Sequence, residues 1–463
     1  MKIKQAIITL LLITAFGAYA ELLVFDTFDG TGGGGSVGWA GPPVESVRNG
    51  EVLRYPLVVV GGTYDSRQLS VSADRGQEYC TTTIDDKFRI TVDLKEGSNT
   101  LHIADRSGTT ELNLIYRPPT STNYRVKVWY AVPKGEDPYT FTEYGNNGNY
   151  TEITPFSTSV ERVMAEFKEK INVQVKLMQS WSAEDMRRAG YGRMTFYPVY
   201  DTNGAIDIGI LELSMTRPEI IASGQGVWGL ISQAIPAYYK NGYFKNLCFT
   251  SVRAAALGGG NMCMVGTKTI IQQAPTNVTQ LYDYLLDNTS VDYLTYRDYV
   301  GVTVHELGHQ MHSAWHPGEP LHVMNGYYDI SRQFTLYTDP NNPLWHRDTQ
   351  LSTWGKQQLL MKYCRWFMSA DPVEYKNATI DIAFTDTEIV STSAYQMAVV
   401  YYYNPSLGPC KYTHVAGLNT NSYTLSVQQA LNELNPGASN QGFFNVMAID
   451  KEGNMRYRGY TVD

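Results

Sequence analysis

Residues 305–326 read HELGHQMHSAWHPGEPLHVMNG, and five of the chain's eight histidines fall inside that stretch. His305 and His309 are four residues apart. On a helix both imidazoles leave the same face about one turn apart, which suits two ligands on one tetrahedral zinc ion. Glu306 projects alongside, where a carboxylate can polarise a metal-bound water. Two solvated histidines on a surface helix are the bland alternative. The preceding Tyr-Val-Gly-Val-Thr-Val run speaks against it, because it calls for burial of that helix.

A catalytic zinc site needs a third protein ligand and an open position. His312 lies on the same helical face, but a straight helix puts it about 10 Å along the axis from His305, too far to share one ion. His316 comes within reach only if the chain leaves the helix near residue 312 and folds back, a reversal that Pro317-Gly318 favours. Met324 follows in the run Val-Met-Asn-Gly, suited to a tight turn beneath the metal.

These residues need elements to hold them. TYRDYVGVTVHELGHQMHS (295–313) reads as the helix that carries the pair. Upstream, YRVKVWYAV (124–132) reads as a strand, VERVMAEFKEKI (160–171) as an amphipathic helix, and NVQVKLM as a strand directly after it. Ser182-Ala-Glu-Asp185 predicts a capping box opening a further short helix, and IDIGILEL (206–213) another strand. That order is what an α/β catalytic region looks like. Asn342-Pro343 predicts one more helix, through about Phe367, and Asp371-Pro372 a boundary.

On either side the pattern is β. YPLVVVGG (55–62), FRITVDL (88–94) and TELNLIY (110–116) alternate with turn residues, and IDIAFTD, YQMAVVYYY, GFFNVMAID and RYRGYTV do so after residue 375. Each set predicts a small β-sandwich. Lys2 and Lys4 ahead of IITLLLITAFG, with Ala18-Tyr19-Ala20 following, read as a secretory signal peptide. The expected organisation is therefore a signal peptide over 1–20, an N-terminal β-sandwich over 21–121, a catalytic region over 122–372 and a C-terminal β-sandwich over 373–463.

Composition narrows the chemistry. The 463 residues are 43% hydrophobic and 18% charged, with a net charge of −8, which argues against a nucleic-acid partner. No segment after the signal peptide is apolar for long enough to suggest a transmembrane span. The five cysteines (Cys80, Cys248, Cys263, Cys364, Cys410) are too dispersed for a disulfide scaffold or a CxxC zinc site; Cys248 with Cys263 is the one pairing their spacing suggests. The one GxSxG match, GGSVG at 34–38, lies in the flexible glycine-rich run DGTGGGGS and not in a strand-to-helix turn, so serine hydrolase chemistry is unsupported. Four glycosylation sequons occur, at Asn149, Asn277, Asn288 and Asn377.

HELGHQMHSAWH followed by VMNG resembles the metzincin clan of metallopeptidases, whose pattern is HExxHxxGxxH and then a Met-turn. More specifically, SAEDMRRAGYGRMTFYP (182–198), ALGGGNMCMVGT (256–267), VMNGYYDISRQFT (323–335) and LWHRDTQL (344–351) resemble a eukaryotic zinc-metallopeptidase family whose fungal members often carry a jacalin-like domain. NGEVLRYPLVVVGG (49–62) and EGSNTLHI (96–103) resemble that family's N-terminal β region, so the resemblance runs over roughly 45–365 and leaves out the C-terminal β-sandwich. It implies an α+β fold in which a metzincin-like zinc peptidase domain, a mixed sheet plus helices, is flanked by β-sandwiches.

By the same resemblance His305 and His309 are zinc ligands, Glu306 is the general base and Met324 belongs to the Met-turn. The family's third histidine falls at Trp315 and its helix-breaking glycine at His312. A one-residue insertion then gives the ligand role to His316, with His312, which tolerates a left-handed backbone better than most residues, His322 and the carboxylate Asp329 as alternatives.

Tyr327 and Tyr328 stand where an oxyanion contact is wanted, although with 34 tyrosines in the chain a packing role is the simpler reading. For His346, helix capping or exposure is simpler than catalysis. Asp207 and Glu212 lie on the 206–213 strand, which suits either substrate pairing or solvation. The function expected is a secreted zinc endopeptidase acting on a protein or glycoprotein, with glycan contact through the flanking β domains. The competing class is a zinc-containing, catalytically inactive adhesion or glycan-binding protein; Glu306, which such a site does not need, weighs against it. Hydrolysis of a non-peptide amide is a third, smaller option.

Overall fold

The computed structural model describes residues 41–65, 68–138, 140–143, 160–163, 166–223, 226–252, 256–266, 274–281, 291–311, 322–325, 330, 333–334, 353–372, 375–404, 411–434 and 442–462. The fold is mixed α+β, rich in sheet and poor in helix. No helix among the described residues is long and apolar enough to cross a membrane.

The first sheets come from alternating sequence. Gly97–Asp105 and Gly108–Tyr116 bury every second residue and pair antiparallel, with Ser70–Ala73 and Glu51–Leu53 at the two edges. A second sheet runs Leu57–Thr63, Lys87–Asp93, Tyr79–Ile84. Its tight turn places Asp85 at φ 54°, a left-handed conformation that Asp tolerates. Val58, Val60, Phe88 and Ile90 from one sheet meet Leu101, Ile103, Leu112 and Leu114 from the other in a common core.

The central sheet has the order Ile208–Glu212, Arg125–Val132, Phe244–Thr250, Met262–Gly266, Leu257–Gly259. The first four are parallel and the last, at the edge, runs antiparallel to Met262–Gly266. Arg125–Val132 is buried at every position, as an inner strand covered on both faces must be. Helices Arg217–Ser223 and Val227–Ala234 cover one face. Phe167–Arg188 and the histidine helix Val291–Gly308 cover the other.

Phe167–Arg188 corrects two expectations. NVQVKLM is not a strand, and Ser182–Asp185 opens no helix; both lie within this one 22-residue helix. Asn-Val-Gln-Val-Lys alternates like a strand, but Phe167, Ile171, Met178 and Trp181 also recur at helical spacing, and packing selects that pattern. The end of the expected 160–171 helix is its first turn, while Val160–Val163 pairs as a strand with Thr140–Glu143. The helix expected from Asn342 is described only as Gln358–Tyr363, its proposed start lying outside the described residues.

Two further sheets follow residue 380. They are Asp381–Phe384, Glu388–Thr392, Ser422–Ser426, and Lys411–Ala416, Met397–Asn404, Gly442–Asp450, Met455–Val462. The helix Val427–Leu434, absent from the sequence reading, packs Ala430 and Leu434 into the core that these sheets share.

Cys248 and Cys263 do not pair. Leu247 lies opposite Cys263, and Cys248 opposite Met264, on adjacent parallel strands. Because side chains alternate, the two thiols face opposite sides of the sheet, and each is buried and free.

Candidate metal centre

The histidine helix is a helix because its buried Val300 and Val304 dock on the central sheet. It ends where Gln310 and Met311 turn back to bond Leu307 and Gly308, so His309 sits at the transition. One turn apart, His305 and His309 bring their Nε2 atoms to 3.2 Å, with the rings edge to face. Two nitrogens bound at about 2.05 Å in tetrahedral geometry would lie roughly 3.3 Å apart, so the pair fits one ion. Candidate ligand atoms of His305, Glu306 and His309 all lie within 4.8 Å of one another.

The surroundings set the tautomer. His305 Nδ1 lies 2.9 Å from the Val323 carbonyl, which can only accept, so Nδ1 carries the hydrogen and Nε2 keeps a lone pair toward His309. His305 and Glu306 are 5% and 8% exposed. Burial pushes the Glu306 carboxyl up to about 7, because a charged carboxylate loses water there. A hard or borderline cation beside it would offset that loss.

Met324 lies beneath the helix. A side chain on Gly308 would come within 2.8 Å of the Met324 sulfur and 2.7 Å of the Trp354 ring, so glycine is what lets this segment approach. Val323–Asn325 forms a single 3₁₀ turn, and its amide end is fixed: Val323 N–H donates to Thr353 O and Met324 N–H to His322 Nδ1. His322, fully buried, belongs to that support and not to the metal group.

His312, His316, Tyr327, Tyr328, Asp329 and His346 lie outside the described residues. Asp207 and Glu212 sit at the sheet edge remote from the histidine helix. Asp207 is ion-paired with Lys127 and Glu212 accepts the Gly135 amide, so neither reaches the site. The edge that does reach it is Leu257–Gly259: a Cβ on Gly258 would fall 2.2 Å from the Glu306 carbonyl oxygen. The run Gly258-Gly-Gly-Asn261 carried that signal, as a hairpin turn needing close backbone approach. The Val323 carbonyl left no trace in sequence.

With the geometry in place, comparisons add the following. Residues 42–206 match the model of a family described as "Metallopep: Putative peptidase family"; the match ends before the histidine helix. No curated protein matches the chain. Among solved structures, wild-type OgpA from Akkermansia muciniphila is similar at 13% identity and a TM-score of 0.44, over 74% of this chain and 95% of that one. A catalytically inactive OgpA in complex with an O-glycopeptide substrate gives 12% identity and a TM-score of 0.45, over 74% and 94%.

Proposed function

We propose that the chain is a secreted zinc endopeptidase with a metzincin-like catalytic domain, acting on protein or glycoprotein substrates. One observation carries the reading: two imidazole Nε2 atoms 3.2 Å apart on a buried helix, with a carboxylate between them in sequence and beside them in space. The match of residues 42–206 to a metallopeptidase family supports it from a separate part of the chain. In this reading 1–20 is a signal peptide and β-sandwiches over 21–121 and 373–463 flank a peptidase domain over 122–372. His316 supplies the third ligand.

Bound zinc would supply Lewis acidity, making a water more acidic and polarising the scissile carbonyl. The rest is the work of this chain's residues. Glu306, held in a water-poor pocket, takes a proton from the attacking water and returns it to the leaving amine. Val323 keeps His305 in the ligating tautomer. The edge strand Leu257–Gly259 offers main-chain groups to an extended peptide, and Leu257 is exposed there. Tyr327 and Tyr328 are candidates to donate to the oxyanion.

The test is hydrolysis of an unfolded protein by the mature wild type and by Glu306→Ala, with and without a chelator. Cleavage that is lost in the variant and on chelation, and restored by zinc, is expected. Inactivity of wild type and variant alike across several unfolded substrates would sink the peptidase reading in favour of an inactive zinc-containing glycan-binding or adhesion protein.

A further inference from the structure

We infer that Asp185 is a positioning residue for the metal-binding face, acting through the 353–358 and 322–324 segments. This rests on the metal-site reading above. Asp185 lies near the end of the helix Phe167–Arg188, more than a hundred residues before His305 in the chain, and its side chain is 2% exposed. A carboxylate buried so deeply needs donors. It receives the Trp354 amide at 2.9 Å and Gln358 Nε2 at 2.8 Å on Oδ2, and Arg188 at 3.3 Å on Oδ1.

The Trp354 amide belongs to the same peptide plane as the Thr353 carbonyl. That carbonyl accepts Val323 N–H at 2.9 Å, and the Val323 carbonyl in turn meets His305 Nδ1 at 2.9 Å. One rigid amide and one residue therefore separate a buried charge from the imidazole. Because a charge-assisted bond is stronger than a neutral one, fixing the peptide at Asp185 fixes where the His305 ring can point. A second contact runs in parallel. Trp354 Nε1 donates to Ser182 Oγ at 3.3 Å, and its ring lies under Gly308. Both ends of the Ser182–Asp185 motif are thus spent on holding the segment beneath the metal face.

Glu184 provides the control. It is the adjacent carboxylate, 4% exposed, but its partners are Arg187, Arg193 and the Tyr55 hydroxyl, and among the described residues it makes no bond to the 353–358 segment. The experiment uses the mature full chain stripped of metal, titrated with zinc in competition with a coloured chelator, with folding followed by circular dichroism. Asp185→Ala should weaken zinc binding roughly ten- to hundred-fold, the range for removing an outer-shell partner. Asp185→Asn, which keeps the acceptor for Trp354, should fall between it and wild type. Glu184→Gln should lose thermal stability yet keep zinc affinity within about twofold, a split that a merely structural role of Asp185 would not produce.

If Asp185→Ala does not fold, Asp185→Asn and Gln358→Met decide. Wild-type affinity in every folded variant at 185 and 358, or an equal loss in Glu184→Gln, overturns the inference alone. A wild type that takes up no zinc, or His305→Ala binding as tightly as wild type, overturns the site and its support together.

Discussion

Glu306 sits in a pocket that resists its charge, and the consequence is measurable without substrate. Its usual value is 4.5 and its folded value about 7. Below 4.5 both folded and unfolded chains hold the proton. Between the two values the unfolded chain releases it while the folded chain keeps it, so ionisation favours unfolding. Metal-free protein should therefore lose stability as pH rises from about 4.5 to 7, by at most roughly 3 kcal/mol. Thermal melts of chelator-treated wild type and Glu306→Gln between pH 5 and 8 check this, with a shallower slope expected in the variant. Equal slopes would contradict the pocket described here.

At the scale of elements, the site depends on glycines that let backbone approach backbone. Gly258→Ala places a methyl carbon 2.2 Å from the Glu306 carbonyl, and neither main chain can yield cheaply. Overpacking of this kind costs about 1–3 kcal/mol. Cleavage should fall further than zinc affinity, because the edge strand moves while the histidines stay paired. Gly308→Ala should cost a similar amount, through Trp354 and Met324, but should be partly relieved by Met324→Ala, which removes one clashing atom. Urea denaturation of the single and double variants tests this, and strict additivity would speak against the contact.

The elements also show what sequence could and could not give. FRITVDL and YRVKVWYAV read as strands and are observed as Lys87–Asp93 and Arg125–Val132, because β-branched runs between turn residues admit little else. The histidine helix was legible for the opposite reason, its buried apolar positions recurring with helical period. NVQVKLM misled because five residues of alternation fit a strand as well as a helix, and the deciding contacts, Trp181 on Trp354 among them, come from remote sequence. At the candidate site, the convergence of His305 and His309 could be read from their spacing. What holds that pair could not, since Val323 acts through a carbonyl that every residue possesses.

Over the whole molecule the thiols report on integrity. Cys80, Cys248, Cys263 and Cys364 are all buried and free, and burial raises each thiol, Cys80 to about 11 and Cys364 to about 12. Thiolate is the reactive form, so none of the four should be alkylated by iodoacetamide at pH 8 in the native state, and all should be after denaturation. Mass spectrometry of the labelled peptides gives the answer. Labelling of Cys263 on the native chain would mean that the helix–sheet contact opens.

The support of the metal face is also a matter of timing. A nascent chain that has emerged only to residue 340 already carries both histidines and Glu306, but not Thr353, Trp354 or Gln358, which connect the Val323 turn to Asp185. Until those residues leave the ribosome, the Val323 turn that meets His305 Nδ1 lacks its tie to Asp185. A chain read out from its N-terminus thus completes the surroundings of the histidine pair late, after the central sheet that the histidine helix packs on is made.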